Sequence, residues 1–259
     1  MIVLCSLKSV EGKKIGYNCF MTEHSTETLL KRLAALEADV VYRQPAQAGE
    51  EEFRYLPGNR PVLISAPHGA AHIRNRELKE EDSYTAAITR YLAEGTGAHA
   101  LYLRRQSATD SNYDRETDYK HALRTIVQQE GIRFVLDLHG ASDQHSFGIA
   151  LGTMNGKSCP EQIPMILKTL CKFGFYQHAS GSYRLDVDGR FTGAGGVRQE
   201  TITRFVRDTL GVPSLQIELA SRIRVVQVSP PGKLPQVYHG DPVLIEKTIA
   251  ALTEIVNHL

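Results

Sequence analysis

The chain has no charge excess of either sign: across 259 residues, 30 Lys and Arg face 29 Asp and Glu, a formal net charge of +1. That balance leaves no broad electrostatic footprint for nucleic acid or an anionic membrane surface. The one local basic cluster, Arg74, Arg76 and Lys79, is followed at once by Glu80, Glu81 and Asp82, which cancel it. No apolar run approaches the roughly 20 residues that span a bilayer. The opening MIVLCSLKSVEGKK carries its lysines after the short apolar stretch, the reverse of a signal peptide's order, so the expected location is cytoplasmic. Cys5, Cys19, Cys159 and Cys171 are scattered without C-x-x-C spacing, and in a reducing compartment neither a disulfide framework nor a thiolate metal site is expected. Internal repeats and low-complexity segments are also missing.

What remains is an ordinary globular composition, 42% hydrophobic and 23% charged. A chain of this length buries about 70–75% of its unfolded surface and needs no staple to build a core. Residues 1–55 carry little functional signal: one helix, Glu27 to Leu36, and a turn-rich acidic stretch around Gln44–Glu52, read as an N-terminal extension packed on the domain. From Pro61 the pattern sharpens. PVLISAPHG is a β-branched run delivering a polar residue at its end, and RFVLDLHG repeats that chemistry after a helix from Arg115 to Glu130 closed by Gly131. Helical spacing marks Asp82 to Ala93, Gln162 to Lys172, Gln199 to Leu210 and Val243 to Val256. Ala98–Leu103, FGIALGT and PSLQIEL read as strands. Strands alternating with helices predict a single three-layer α/β/α domain around a mixed sheet that includes Val62–Ser65, Phe134–Leu138 and Leu215–Leu219.

In open α/β sheets the ligand site lies beyond the carboxyl ends of the strands, and His68, His139 and Glu218 each fall at or near such an end. A hydrolytic zinc site takes three His, Asp or Glu ligands and keeps a fourth position for water. One histidine at a strand end is readily explained as a satisfied structural side chain; two in matching strand-His-Gly contexts point to a metal. The third ligand is expected near the start of the following helix, where Glu80, Glu81 and Asp82 all qualify. An acid there also has a structural use as a helix cap. His72 would share a helical face with His68, but Gly69 and the missing Glu argue against an H-E-x-x-H motif, leaving His72 as a pocket or surface residue. In SLQIEL, period-2 alternation sets Gln216 and Glu218 opposite Leu215, Ile217 and Leu219. An acid in such company is either salt-bridged to Arg222 or Arg224, or a general base whose pKa is raised by partial burial.

The order PHG at His68, acids at Glu81-Asp82, D-x-N at Asp110 and Asn112, LDLHG at His139 and QIEL at Glu218 resembles the N-formylglutamate amidohydrolase family, itself similar to the zinc carboxypeptidases. The resemblance covers roughly Pro61 to Arg224. It implies a phosphorylase/hydrolase-like, zinc-carboxypeptidase-related fold. It also implies one Zn2+ held by His68, Asp82 and His139, with Glu81 the reserve acid, and Glu218 activating water. Asn112 is carried over with it as a substrate-binding residue. Two departures stand out. Ala71 replaces the glutamate of the carboxypeptidase H-x-x-E pair, and the family's Asp-x-Asn-Arg becomes Asp110-Ser111-Asn112-Tyr113, without its arginine. Arg190, opening the loop GRFTGAGG, is the candidate replacement as a bidentate clamp for a substrate carboxylate; Arg104, Arg105 and Arg184 are weaker candidates.

The function expected from this reading is zinc-dependent hydrolysis of the C–N bond of a small N-acyl, formyl-type amino acid. The partner is a small molecule bearing a carboxylate, with neither nucleic acid nor membrane involved. The alternatives are a carboxypeptidase-like metallopeptidase and a non-catalytic metal- or ligand-binding relative. Glu218 beside both histidines argues against the last, since a pure binding site needs no general base.

Overall fold

The computed structural model describes residues 23–226 and 240–259. Cys5, Cys19 and the rest of the first 22 residues lie outside them, whereas the helix expected from Glu27 to Leu36 is present within a helix over Glu23–Glu37. In chain order the elements are α1 (Glu23–Glu37), β1 (Val41–Pro45), β2 (Phe53–Leu56), β3 (Val62–Ala66), β4 (His72–Arg74), β5 (Glu77–Lys79), α2 (Thr85–Thr96), β6 (His99–Leu103), β7 (Arg105–Gln106), α3 (Asp118–Gln129), β8 (Phe134–Ala141), β9 (Ile149–Gly152), α4 (Ile163–Lys172), β10 (Leu185–Val187), α5 (Ile202–Arg204), β11 (Ser214–Ala220) and α6 (Pro242–His258). Seven strands form one sheet in the order β10-β9-β11-β8-β3-β6-β2. Its centre, β11, β8, β3 and β6, is parallel, whereas β9 runs antiparallel to β11 and β2 antiparallel to β6. The sheet is therefore mixed, as the alternation of elements predicts.

Period-2 alternation divides the two faces. Val62, Ile64, Phe134, Leu136, Leu138, Leu215, Ile217 and Leu219 join the core formed with α1, α2, α4 and α6. Leu63 and Val135 point the other way and pack with Tyr119, Leu123, Ile126 and Val127 of α3 and with Ile202, Phe205 and Val206. Helices thus cover both faces, which is why the central strands are buried along their whole length. On the α3 face the apolar pattern gives way to Ser65, Asp137, His139, Gln216 and Glu218, all buried. Because β3, β8 and β11 are parallel, in register from Ser65↔Asp137 and Glu218↔His139, these polar side chains gather toward one end of the sheet. Among the described residues no helix is long and apolar enough to cross a membrane, and Cys159 and Cys171 are not joined to each other.

Three helix starts differ from the sequence reading by three residues each, for local reasons; the helix expected from Arg115 begins at Asp118, where Thr117 accepts the Lys120 N–H at 3.2 Å as its cap. The helix expected from Asp82 begins at Thr85. Tyr84 ahead of it is left-handed (φ 68°), and its N–H, with that of Ala87, is taken by the carboxylate of Glu37 from α1. A carboxylate from another helix therefore caps α2, and the Asp82 side chain is released from that task. The helix expected from Gln199 begins at Ile202, with Thr201 accepting the Arg204 N–H at 3.0 Å as its cap, and passes into a π-turn over Phe205–Thr209. Gln199 and Thr201 are left outside the helix, on the wall of a cleft.

Candidate functional site

At the carboxyl end of β3 the chain turns at Pro67 and presents His68. Gly69 is required there, because a Cβ would stand 2.5 Å from the Leu103 carbonyl oxygen at the end of β6. On β8, His139 lies two residues after Asp137 and so on the same face. Each histidine has one ring nitrogen tied to a buried carboxylate: His68 Nε2 to Asp110 Oδ1 at 2.8 Å, and His139 Nε2 to Asp137 Oδ2 at 3.0 Å. With the proton on Nε2 in each of these bonds, Nδ1 is the atom of each ring that would serve as a ligand.

The two Nδ1 atoms face each other at 3.2 Å, and Asp82 Oδ2 completes a triangle, 3.5 Å from His68 Nδ1 and 3.4 Å from His139 Nδ1. Ligands about 2.0–2.1 Å from one ion, set at tetrahedral angles, stand about 3.3 Å apart, so these edges match a tetrahedral divalent cation. The donor set agrees, since two imidazoles, one carboxylate and an open fourth corner suit a first-row metal better than magnesium or calcium, which favour all-oxygen shells. Burial opposes protonation of both histidines, but Asp110 for His68 and Asp137 for His139 outweigh it and raise both pKa values. Burial likewise disfavours the Asp82 carboxylate, yet the two histidines hold its pKa well below the usual range. A second grouping, His68, His72 and Asp110, also lies within ligand reach. There, however, the His68 and His72 rings are stacked, with centroids 3.9 Å apart and planes 10° from parallel, so their in-plane lone pairs do not converge on one ion.

Glu218 stands beside His139 in the β11–β8 register and is 5% exposed. Burial raises its pKa against the opposing charge of His139, and its Oε1 accepts a 2.7 Å hydrogen bond from Gln216 Nε2. Neither Arg222 nor Arg224 forms an ion pair with it among the described residues. Arg224 is buried and donates from Nε to the Leu219 carbonyl at 2.9 Å and from Nη1 to the Ser83 carbonyl. Its guanidinium lies where a Cβ on Gly140 would stand, so the glycine of LDLHG admits a buried cation next to the triangle.

A cleft of about 400 Å³ opens over the triangle, within the size range of small-molecule sites. Asn112, Glu218 and the exposed Arg190 line it, together with Arg74, Phe191, Gln199 and Thr201. Asn112 Oδ1 accepts the Ile202 N–H at 2.9 Å and its backbone carbonyl accepts Gln199 Nε2 at 2.9 Å, which pins the segment after the glycine-rich loop to the D-x-N turn. The other candidates lie elsewhere. Glu81 pairs with Arg43 at 3.1 Å, Arg104 with Asp39 at 3.6 Å, Arg105 with Glu50 at 2.9 Å, and Arg184 with Asp186 at 3.4 Å. His72 is neither a pocket nor a surface residue: it is buried behind His68 because its ring completes a stack there.

Sequence reasoning missed Asp137, Asp110 as the partner of His68, and Arg74. Asp137 was accessible from strand periodicity, which puts it on the His139 face. Asp110 and Arg74 meet only in three dimensions.

The chain shares its fold with an N-formylglutamate amidohydrolase. That structure, from Ralstonia eutropha JMP134, superposes with a TM-score of 0.52 at 13% identity, covering 80% of this chain and 96% of the other. At that identity the likeness is one of fold. A bacteriophage poly-γ-glutamate hydrolase gives a TM-score of 0.47 at 14% identity (82% and 89% covered). A metallo-carboxypeptidase from Burkholderia cenocepacia gives 0.44 at 13% (92% and 69% covered). No family model matches the chain, and no curated protein matches it in sequence.

Proposed function

We propose that the protein is a zinc-dependent amidohydrolase that cleaves the C–N bond of a small N-acyl amino acid, with His68, Asp82 and His139 as metal ligands and Glu218 as general base. The observation that carries this reading is the triangle of two histidine Nδ1 atoms and Asp82 Oδ2, with edges of 3.2–3.5 Å, beside a buried glutamate. Its fold likeness to an N-formylglutamate amidohydrolase supports the same chemistry. A divalent ion in the triangle would supply Lewis acidity to the scissile carbonyl and to the attacking water.

The remaining steps belong to the chain. Glu218, with its pKa raised by burial, takes a proton from the attacking water and later delivers one to the departing amine, as a general base and acid tuned toward neutrality. Gln216 holds Glu218 Oε1, leaving Oε2 for the proton. Asp110 and Asp137 keep the histidines in the ligand tautomer. Arg190, exposed on the cleft wall, takes the carboxylate of the amino-acid product, and Asn112 contacts the substrate from the D-x-N turn.

Metal analysis of the freshly purified protein beside His139→Ala tests the centre. Stoichiometric zinc in the native protein and its loss in the variant are expected; a folded variant that keeps full metal content refutes the ligand assignment. Hydrolysis of formyl, acetyl and longer acyl amino acids, each beside its uncharged amide, tests the substrate. Equal turnover of acids and amides, or an unchanged KM in Arg190→Ala, refutes the clamp.

A further inference from the structure

Arg74 lines the same cleft as Arg190 but reaches it from the opposite flank of the sheet. In the sheet order, β3, which His68 follows, and β8, which carries His139, lie in the middle. Arg190 follows β10, at the edge beyond β9 and β11. Arg74 ends β4, just after His68, and is held by Asp110, which follows β6 and β7 on the opposite flank.

Three features fix the Arg74 guanidinium as a presented group rather than a loose surface cation. Its hairpin turns through Asn75 and Arg76, both left-handed at φ 52° and 67°, the geometry that a tight two-residue hairpin requires. Its strand is anchored by the Ile73 N–H to the Ser107 carbonyl at 3.1 Å. Its Nε donates to Asp110 Oδ2, and its plane lies over the Tyr113 ring at 5.5 Å. Glu77, the cross-strand partner of Arg74, bonds Lys79 at 2.6 Å instead. Asp110 is fully buried and also serves His68 and the Asn112 N–H, while the Arg74 side chain remains 31% exposed. With Nε occupied, the fork formed by Nη1 and Nη2 has no hydrogen-bond partner among the described residues, and that edge is the one that grips a carboxylate bidentately.

We propose that Arg74 is a second carboxylate anchor, facing the acyl side of the scissile bond, so that the preferred substrate is an amide with a carboxylate on each side: a dicarboxylic acid joined through one carboxyl group to an amino acid. This rests on the amide-hydrolase reading and on Arg190 serving the amine side. It deepens both, because a formyl or simple alkanoyl group would leave the Arg74 fork unused.

The test compares N-succinyl-alanine with N-butyryl-alanine, which have acyl chains of equal carbon count, on the zinc-loaded native protein, Arg74→Met and Arg74→Lys. Charge-assisted hydrogen bonds of this kind are worth about tenfold or more in binding. The native KM should therefore be at least about tenfold lower for the succinyl compound. Arg74→Met should remove that preference, bringing the ratio of the two KM values to about one, and Arg190→Met should raise both. A merely structural loss of the Asp110 partner would affect both substrates alike, and that result, or equal native KM values, overturns the proposal. Should Arg74→Met fail to fold, Arg74→Lys carries the test, since its succinyl preference must fall below the native one. Calorimetric titration with glutarate and valerate separates the two claims. If neither amide is hydrolysed, the activity reading fails, and tighter glutarate binding that Arg74→Met abolishes still upholds the anchor; equal binding of the two acids refutes it.

Discussion

Glu218→Gln is expected to separate chemistry from structure. The carboxylate is buried at 5% exposure with its pKa pushed up by desolvation, so replacing it by a neutral amide of the same shape removes a group that is costly to bury ionised. The hydrogen bond from Gln216 does not stand in the way. Gln216 Oε1 is itself buried without a partner, and turning that amide over lets it accept from the new Nε2 at the place where its own Nε2 now donates across 2.7 Å. Glu218 is not a member of the His68, Asp82, His139 triangle, so metal content should stay stoichiometric. The conformational stability of the variant should equal or exceed the native value, within about 1 kcal/mol. Turnover should fall by roughly 10²–10⁴, the usual worth of a general acid–base group, or about 2.7–5.4 kcal/mol in the barrier. The acid limb of the native kcat/KM profile should lie above that of an ordinary glutamate, because a raised pKa delays ionisation of the base, and should disappear in the variant. Denaturant unfolding, metal analysis and single-turnover hydrolysis, run on the same preparation, decide the matter. Turnover within tenfold of native, or activity lost only together with metal or fold, would return Glu218 to a structural role.

Asp110→Asn keeps the shape but weakens the acceptor on His68 Nε2; zinc affinity measured by chelator competition should fall about 10–100-fold without loss of fold, and an unchanged affinity would remove Asp110 from the centre. Gly69→Ala sets a Cβ 2.5 Å from a backbone oxygen and 3.0 Å from the Ala86 Cβ, so a loss of about 1–3 kcal/mol in urea unfolding is expected, together with weaker metal binding as His68 is displaced. Burial disfavours the ionised form of Asp39, but the Tyr102 hydroxyl and Arg104, Arg90 and Arg54 overcome it and lower its pKa. Its stabilisation is therefore present above the ordinary aspartate pKa of 3.8 and lost as pH falls toward the depressed folded value. Asp39→Asn should destabilise at pH 7 by about 1 kcal/mol, and the two unfolding curves should converge in acid; a gap independent of pH refutes this.

The parts of the fold legible in the sequence are those set by local period. Strand β8 reads directly from FVLDL, because alternate residues serve two cores, and the polar residues break the pattern on one face only. The helix from Pro242 is equally plain, with Asp241 accepting the Val243 N–H at 2.9 Å and proline in the first turn. Strand β2 is different. It joins the sheet edge beside β6, yet Phe53–Leu56 stands between exposed polar stretches and its pairing is set by contacts some 45 residues downstream. Nothing in a short window specifies such an edge.

The site divides along the same line. His68, His139 and Glu218 could be found one at a time, because a strand ending in a polar residue is a local event, and parallel strands necessarily bring such ends together. Asp82 could be narrowed only to three neighbouring acids. What distinguishes it is Glu37, which caps α2 from a different helix, and Arg43, which claims Glu81. The acid left without a structural task is the one that turns to the histidines. The same logic applied to arginines identifies Arg74. Arg104, Arg105 and Arg184 are each committed to an acid outside the cleft, whereas Arg74 is held by Asp110, the carboxylate that also orients His68. In the sequence Arg74 is followed closely by compensating acids, but Glu77 goes to Lys79, and Glu80 and Glu81 go to Arg43. Charge cancellation along the chain therefore does not hold in space, and a cation that looks neutralised by its neighbours keeps its fork for a ligand.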